Sequence, residues 1–161
     1  MNHLRTLINL LILLFLASCN GEKQKVNTEV IEKEVVDFFN TYVEHVNTNG
    51  LLGADQYFSD SDQFYWVEDG VIQYPNHDAL KEGIKSFAPT VRSVELNVLD
   101  KKVNVINASN AMLFLEYSQH LELNNDYKFS LNGAMTILVN KSNNQWKLSI
   151  GHSSIKKPRT N

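Results

Sequence analysis

Polar side chains that interrupt otherwise apolar faces are the first candidates for chemistry in this sequence. Tyr42 lies among apolar residues at helical spacing, Tyr117 and Gln119 share an apolar alternation, and His152 continues the alternation of the last extended run. Unpaired polar atoms in a core lower stability. Four such groups that converge would form a cavity with a few hydrogen-bonding groups, the usual form of a small-molecule site. We predict that Tyr42 and His152 border one cavity.

A carboxylate and an aromatic pair complete the candidate set. Asp69 precedes Gly70, and Asp-Gly is the commonest sort of tight-turn pair, so by itself it predicts a turn residue. Tyr65 and Trp66 are adjacent and point to opposite faces of a strand, so one of them should line the cavity. Each candidate also has a purely structural interpretation, as a core or turn residue. The predicted ligand-binding residues are Tyr65, Trp66, Tyr117, Gln119 and His152.

The sequence predicts neither a metal site nor a bound cofactor. His45, His77, His120 and His152 are scattered, without the short spacings that place two imidazoles on one ion. A glycine-rich phosphate loop and a serine nucleophile elbow are both missing from the sequence.

The N-terminus carries a targeting signal. Arg5 precedes an almost wholly apolar run over residues 7–16, and Ala17-Ser18-Cys19 follows at once. This segment resembles the lipobox of bacterial lipoproteins, in which the chain is cleaved before the cysteine and the thiol receives a diacylglycerol. The resemblance implies a signal peptide over residues 1–18 and a lipid anchor on Cys19. The domain would then lie outside the cytoplasm, tethered to a membrane of the bacterial envelope.

The composition of the chain after the signal argues against disulfides, thiol catalysis and a nucleic-acid partner. Cys19 is the one cysteine of 161 residues, so its lipidation would leave no thiol for a disulfide or for catalysis. Residues 19–27 are polar and predict a flexible tether, and residues 28–157 suffice for a single domain. The formal net charge is −3, without a basic stripe, which argues against nucleic acid as a partner.

Periodicity predicts an α+β domain. Residues 28–49 have helical spacing, residues 51–58 suggest a short second helix, and residues 78–87 a third with Asn76 as its N-cap. Residues 64–68 and 71–74 predict a hairpin, followed by extended runs over residues 94–98 and 111–123. Residues 127–154 predict a second hairpin, two long extended runs on either side of a polar turn at residues 141–144. Residues 103–106 either extend the first of these runs or pair with it. We expect three helices packed on one side of a curved antiparallel sheet.

The order of these elements identifies a family resemblance. The order of elements resembles that of the nuclear transport factor 2-like superfamily, near its SnoaL-like members. Two short motifs add to the resemblance: Val67-Glu68-Asp69-Gly70, and Trp146-Lys147-Leu148 followed by His152 and Ser154. The resemblance implies a cone-shaped sheet wrapped around the helices, with a small-molecule pocket at its mouth. Some members are isomerases, cyclases or dehydratases and many are binding or assembly domains, so fold alone leaves function open.

The ketosteroid isomerases of that superfamily offer a sharper comparison. Their first-helix motif resembles Tyr42-Val43 with Asn47, which would make Tyr42 an oxyanion donor, and their strand motif resembles Val67-Glu68-Asp69, which would make Asp69 the general base. The position of their second oxyanion donor falls near Met135, whose thioether cannot donate. The first hypothesis is therefore a tethered domain that binds a small, largely apolar ligand. The second, which the resemblance implies, is an isomerase, cyclase or dehydratase with Asp69, Tyr42 and His152 as catalytic residues, Asp69 as general base and Tyr42 or His152 as acid.

A third hypothesis concerns assembly. Met112 and Phe114 alternate with Leu113 and Leu115, and therefore lie on the opposite sheet face, beside Leu138 of the next strand. Apolar residues on a nominally solvent-facing surface indicate an interface. We predict a homodimer through the outer sheet face, which would also suit an accessory subunit of an envelope complex.

Overall fold

The computed structural model describes residues 26–156. Cys19, the signal segment and most of the predicted tether lie outside the described residues. Two α-helices are present in the described part, α1 (Thr28–Asn49) and α2 (His77–Phe87), with single 3-10 turns at Ala54–Tyr57 and Ala88–Thr90. Six strands follow the order β1 (Tyr65–Glu68), β2 (Val71–Tyr74), β3 (Val91–Asn107), β4 (Asn110–Leu123), β5 (Lys128–Ser142) and β6 (Gln145–Ile155).

The six strands form one sheet in the order β2-β1-β6-β5-β4-β3. Neighbouring strands are antiparallel except β1 and β6, which run parallel. The predicted α+β architecture is confirmed, and residues 103–106 extend the long strand β3. The expected second helix is only a 3-10 turn, because Gly50 and Gly53 adopt φ of 74° and 77° and interrupt the helical backbone on its N-terminal side.

Both α-helices begin at asparagine side chains. Asn27 Oδ1 accepts a hydrogen bond from the Val30 N–H at 3.3 Å, and Asn76 Oδ1 accepts one from the Ala79 N–H at 2.9 Å, as its sequence position predicted. The apolar stripe of α1 is buried against the sheet at Ile31, Val35, Phe39 and Val46. Within residues 26–156, no helix has the length and apolar character needed to cross a membrane.

Asn47 connects the end of α1 to the edge strand β3. Its side-chain amide donates to the Leu96 carbonyl at 2.9 Å, and its Oδ1 accepts from the Leu96 N–H at 2.7 Å. Both backbone groups of Leu96 point away from β4, so the Asn47 side chain continues the hydrogen-bond ladder where no further strand pairs within the described chain. This pair of bonds holds α1 over the sheet face that carries the candidate site.

A β-bulge changes the alternation of β6. Val139 of β5 is opposite Leu148, whereas Leu138 is opposite Ile150, so Ser149 is an extra residue in β6. Beyond it, Gly151 and Ser153 are buried and His152 is exposed. The predicted inward direction of His152 is wrong, because a single inserted residue turns every later side chain to the other face of the sheet.

Candidate functional site

A cavity of about 330 Å³ lies between the helices and the concave face of the sheet. It is open on one side, and most of its walls are aromatic and aliphatic side chains. Four elements contribute polar groups: α1, the hairpin of β1 and β2, the middle of β4, and the end of β6. The residues that border it are Tyr42, Leu51, Ala54, Phe58, Trp66, Glu68, Asp69, Tyr74, Leu80, Gly83, Ile84, Phe87, Tyr117, Gln119, Leu131, Met135, Ser153, Ser154 and Ile155.

Three aromatic rings of the cavity wall rest on glycines. The Trp66 ring lies against Gly151, and a Cβ atom at that position would overlap its six-membered ring. A Cβ at Gly133 would lie 2.9 Å from Cε1 of Tyr117, and one at Gly83 would lie 2.7 Å from Cε1 of Tyr74. Each glycine therefore gives an aromatic ring room to lie close to the backbone, which keeps the cavity open.

Tyr42 projects from α1 into the cavity. Its ring meets Tyr57 and Phe58 edge-on, with centroids 5.5 and 5.9 Å away. Burial raises the pKa of Tyr42 to about 12, so its hydroxyl is neutral at physiological pH. Among the described residues this hydroxyl has no hydrogen-bond partner, and it is therefore available to a ligand in the cavity.

Tyr117 and Gln119 reach the same cavity from β4. Tyr117 is only 4% exposed, and no described residue forms a hydrogen bond with its hydroxyl. Burial raises the pKa of Tyr117, and the negative charges of Glu68 and Asp69 raise it further. The structure therefore brings together Tyr42, Tyr117 and Gln119, three of the four polar groups that the sequence singled out.

Glu68 is a site residue that the sequence analysis missed. It lies two residues after Trp66 in β1, so both side chains point to the cavity side. Although the residue is exposed overall, desolvation of its carboxyl group raises the pKa of Glu68, and the charge of Asp69 adds to this effect. The alternation that relates Tyr65 and Trp66 would have identified Glu68 if it had been continued by two residues.

Asp69 borders the cavity mouth but is an exposed turn residue. Its φ is 48°, its N–H donates to the Ser153 carbonyl at 3.0 Å, and its Oδ1 accepts from the Ile155 N–H at 2.9 Å. One carboxylate oxygen thus holds the end of β6 to the β1–β2 turn. Asp69 is therefore a turn residue, as its position before Gly70 predicted. Its contacts with the end of β6 were not indicated by any sequence motif.

Two predicted ligand-binding residues lie outside the cavity. His152 is exposed because the bulge at Ser149 turns it to the convex face, opposite Thr136. Tyr65 is 39% exposed because Trp66, its neighbour in β1, occupies the inward position. The prediction that the imidazole of His152 borders the cavity is therefore wrong, as is the assignment of Tyr65.

A second depression is a poorer candidate. It measures about 510 Å³ between the end of α1 and the start of β3. Two of its polar side chains are already paired: Asn47 with Leu96, and Arg92 with Glu122 and Asp126 at 2.6 Å each. A group satisfied within the protein has little to gain from a ligand. Within residues 26–156, no group of three His, Cys, Asp or Glu side chains could hold a metal ion.

Comparison with known proteins identifies the architecture. No protein-family model matches the sequence, and no curated protein is detectably similar to it. Among solved structures, a nuclear transport factor 2-like superfamily protein from Salmonella enterica serovar Typhimurium aligns with a TM-score of 0.70 at 14% identity, covering 83% of this chain and 96% of that one. An uncharacterized protein with a cystatin-like fold from Caulobacter vibrioides gives 0.62 at 16% identity, with 78% and 89% covered.

A type 2 hexachlorocyclohexane dehydrochlorinase also aligns, with a TM-score of 0.65 at 10% identity, covering 81% of this chain and 88% of that one. At such identities the comparisons establish architecture and leave chemistry open. They agree with the predicted α+β architecture of a curved sheet packed against helices. The chain has the nuclear transport factor 2-like fold.

Proposed function

We propose that this protein is a membrane-tethered, extracytoplasmic domain that binds a small, largely apolar molecule in the cavity between α1 and the sheet. The observation that carries the proposal is the pair of tyrosine hydroxyls, Tyr42 and Tyr117, that border the cavity without a hydrogen-bond partner among the described residues. Polar groups on apolar cavity walls that no protein atom pairs are free to bind a ligand, or the water that a ligand displaces.

The walls define the class of ligand. Phe58, Trp66, Leu80 and Met135 supply apolar surface, and Gln119 adds an amide at one side. Apolar walls with a few separated hydrogen-bonding groups suit a molecule with an aromatic or alicyclic body and one or two polar substituents. A volume of about 330 Å³ lies at the lower end of the range for such sites.

Binding is favoured over the enzyme hypothesis that assigns Asp69 as base and His152 as acid. Proton transfer between carbons needs a free base that faces an acid across the substrate. Asp69, the proposed base, already accepts a hydrogen bond from Ile155, and His152, one proposed acid, is on the convex face. Met135 borders the cavity where the isomerase comparison would need a second donor. The fold is shared with a hexachlorocyclohexane dehydrochlorinase, and that likeness by itself assigns no reaction here.

The convex face of the sheet supports the proposal that two copies associate. Met112 is opposite Leu138, which is opposite Ile150, so one apolar row crosses three strands. Phe114 lies in the next row and is half-buried. The bulge at Ser149 adds Ile150 to this surface, which is therefore more apolar than the sequence analysis expected. A two-fold dimer would bury these rows against each other, and an accessory role in an envelope complex would use the same face.

Mass spectrometry of protein purified from the membranes of its own host tests these proposals together. We expect the denatured mass to show a chain that begins at Cys19 and carries a diacylglycerol. We expect the native spectrum to show a dimer that retains a small organic molecule. A Tyr42→Phe variant should lose much of the retained molecule while staying dimeric, because it removes one hydroxyl and keeps the ring.

Each part of the proposal can fail separately in that experiment. An unmodified Cys19 thiol in the mature protein would contradict the tether. A monomer at micromolar concentration, unaffected by Phe114→Glu, would contradict the dimer. If the wild-type protein retains no molecule, and its native spectrum equals that of Tyr42→Phe, the binding function is contradicted.

A further inference from the structure

We propose that the cavity takes a small organic cation, an amine on an apolar body, with Glu68 as its counter-ion. This inference rests on the proposed function and narrows it to one chemical class. The charge of the residues around the cavity, rather than their hydrogen-bonding groups, is the basis for this class.

The charge of the cavity border has one sign. Glu68 and Asp69 both border the cavity, and among its described lining residues none is Lys, Arg or His. Neither carboxylate has a cationic partner in the described part of the chain, so neither charge is neutralised within the protein, unlike that of Glu34, which pairs with Lys141 at 2.7 Å. Anionic ligands would therefore be repelled from this cavity, and a cation would be attracted.

Two tyrosine rings share the border of the cavity with Glu68. Tyr74 from β2 and Tyr117 from β4 both border the cavity. Burial raises the pKa of each hydroxyl, and the nearby charge of Glu68 raises both further. Tyrosine rings attract cations through their electron-rich faces, and the hydroxyl of Tyr117, which has no described partner, can accept a hydrogen bond from an ammonium group. A cation at this position would meet a carboxylate and two aromatic rings while its apolar body contacts Phe58 and Trp66.

Because Glu68 titrates, the affinity for an amine should depend on pH. The groups that face it are Asp69 in the turn, Tyr74 on β2 and Tyr117 on β4, and both tyrosines are neutral in the acid range. Burial and the charge of Asp69 raise the pKa of Glu68, and a bound cation would lower it again. Amine affinity should therefore rise as the pH rises through the pKa of Glu68, and level off while the amine stays protonated, up to about pH 10.

Three probes with one body and different charges test the inference on full-length protein. We expect 3-phenylpropylamine to bind at least about tenfold more tightly than 3-phenylpropan-1-ol, and 3-phenylpropanoate to bind weakest, by calorimetry at low ionic strength. Glu68→Gln should reduce the affinity for the amine about tenfold, leave that for the alcohol within about twofold, and remove the pH dependence in the acid range.

Glu116→Gln is the matched control. Glu116 is exposed and alternates with the buried Leu115 and Tyr117, so it lies on the convex face and its loss should change no affinity. Equal or tighter binding of the alcohol by wild type would overturn the inference and leave the binding function intact. Equal effects of Glu68→Gln and Glu116→Gln on amine affinity would also overturn it, since they would reflect net charge alone. Binding of none of the three probes by folded protein would count against the inference and the proposed function together.

Discussion

Replacing Gly151 with Ala should unfold part of the population or close the cavity, because the new methyl group and the Trp66 ring cannot share one space. Gly151 is buried in β6 and is paired in register with Trp66 of β1. Backbone pairing on both sides of β6 prevents the strand from retreating, so the ring must turn into the cavity. We expect a loss of about 3 kcal/mol in the free energy of unfolding, measured by urea denaturation, together with loss of the retained molecule.

Two variants separate this clash from other causes. Gly50 has φ of 74° and ψ of −160°, a backbone conformation essentially confined to glycine, and a Cβ added there would have no atom within 4 Å. Gly50→Ala therefore tests backbone strain without a clash, and should cost about 1 to 3 kcal/mol while leaving the retained molecule in place. Combining Gly151→Ala with Trp66→Leu should recover stability relative to the sum of the single changes, because the smaller side chain leaves room. Additive effects in that cycle would show that the ring contact is not the cause.

Replacing Phe58 with Ala should cost about 3 to 5 kcal/mol. Phe58 is 8% exposed and meets three rings at steep angles: Tyr42 at 5.9 Å, Phe64 at 6.0 Å and Trp66 at 5.5 Å between centroids. Edge-to-face pairs contribute beyond the area they bury. Thermal unfolding followed by circular dichroism would measure the loss.

The same variant should change ligand selection. Phe58 borders the cavity, so the missing ring would enlarge it and admit a bulkier apolar body. Phe58→Leu is the control, because it keeps most of the volume and should cost less than half as much stability. An unchanged unfolding temperature for Phe58→Ala would show that the aromatic cluster does not support the cavity wall.

The order of the elements could be predicted from the sequence because it depends on local patterns. Helical spacing over residues 28–49, the cap at Asn76 and the alternation in β4 each depend on neighbours a few residues apart. Tyr42, Tyr117 and Gln119 were identifiable because a polar residue on an apolar face is visible in a period of 3.6 or 2. The placement of Trp66 inward required the structure, since either member of the Tyr65–Trp66 pair fitted the pattern.

His152 shows where local reasoning fails. Alternation assumes an unbroken ladder, but Ser149 is an extra residue in β6 and reverses the faces of every later residue in that strand. The serine at position 149 does not predict a bulge, because the irregularity arises from pairing with β5, a separate segment of the chain. Asp69 is similar: its bond to the Ile155 N–H joins residues far apart in sequence, which no turn motif can indicate.

The sequence by itself determined the fold class and identified Tyr42, Tyr117 and Gln119 as polar groups of the cavity, since periodicity acts over short distances. Only the tertiary structure decided which of the polar groups meet. It removed His152 and Tyr65 from the cavity, gave Asp69 a partner in β6 and added Glu68 to the cavity border. Strand register and the close approach of rings to Gly83, Gly133 and Gly151 are set by packing between distant segments, and that packing gives the cavity its shape and its charge.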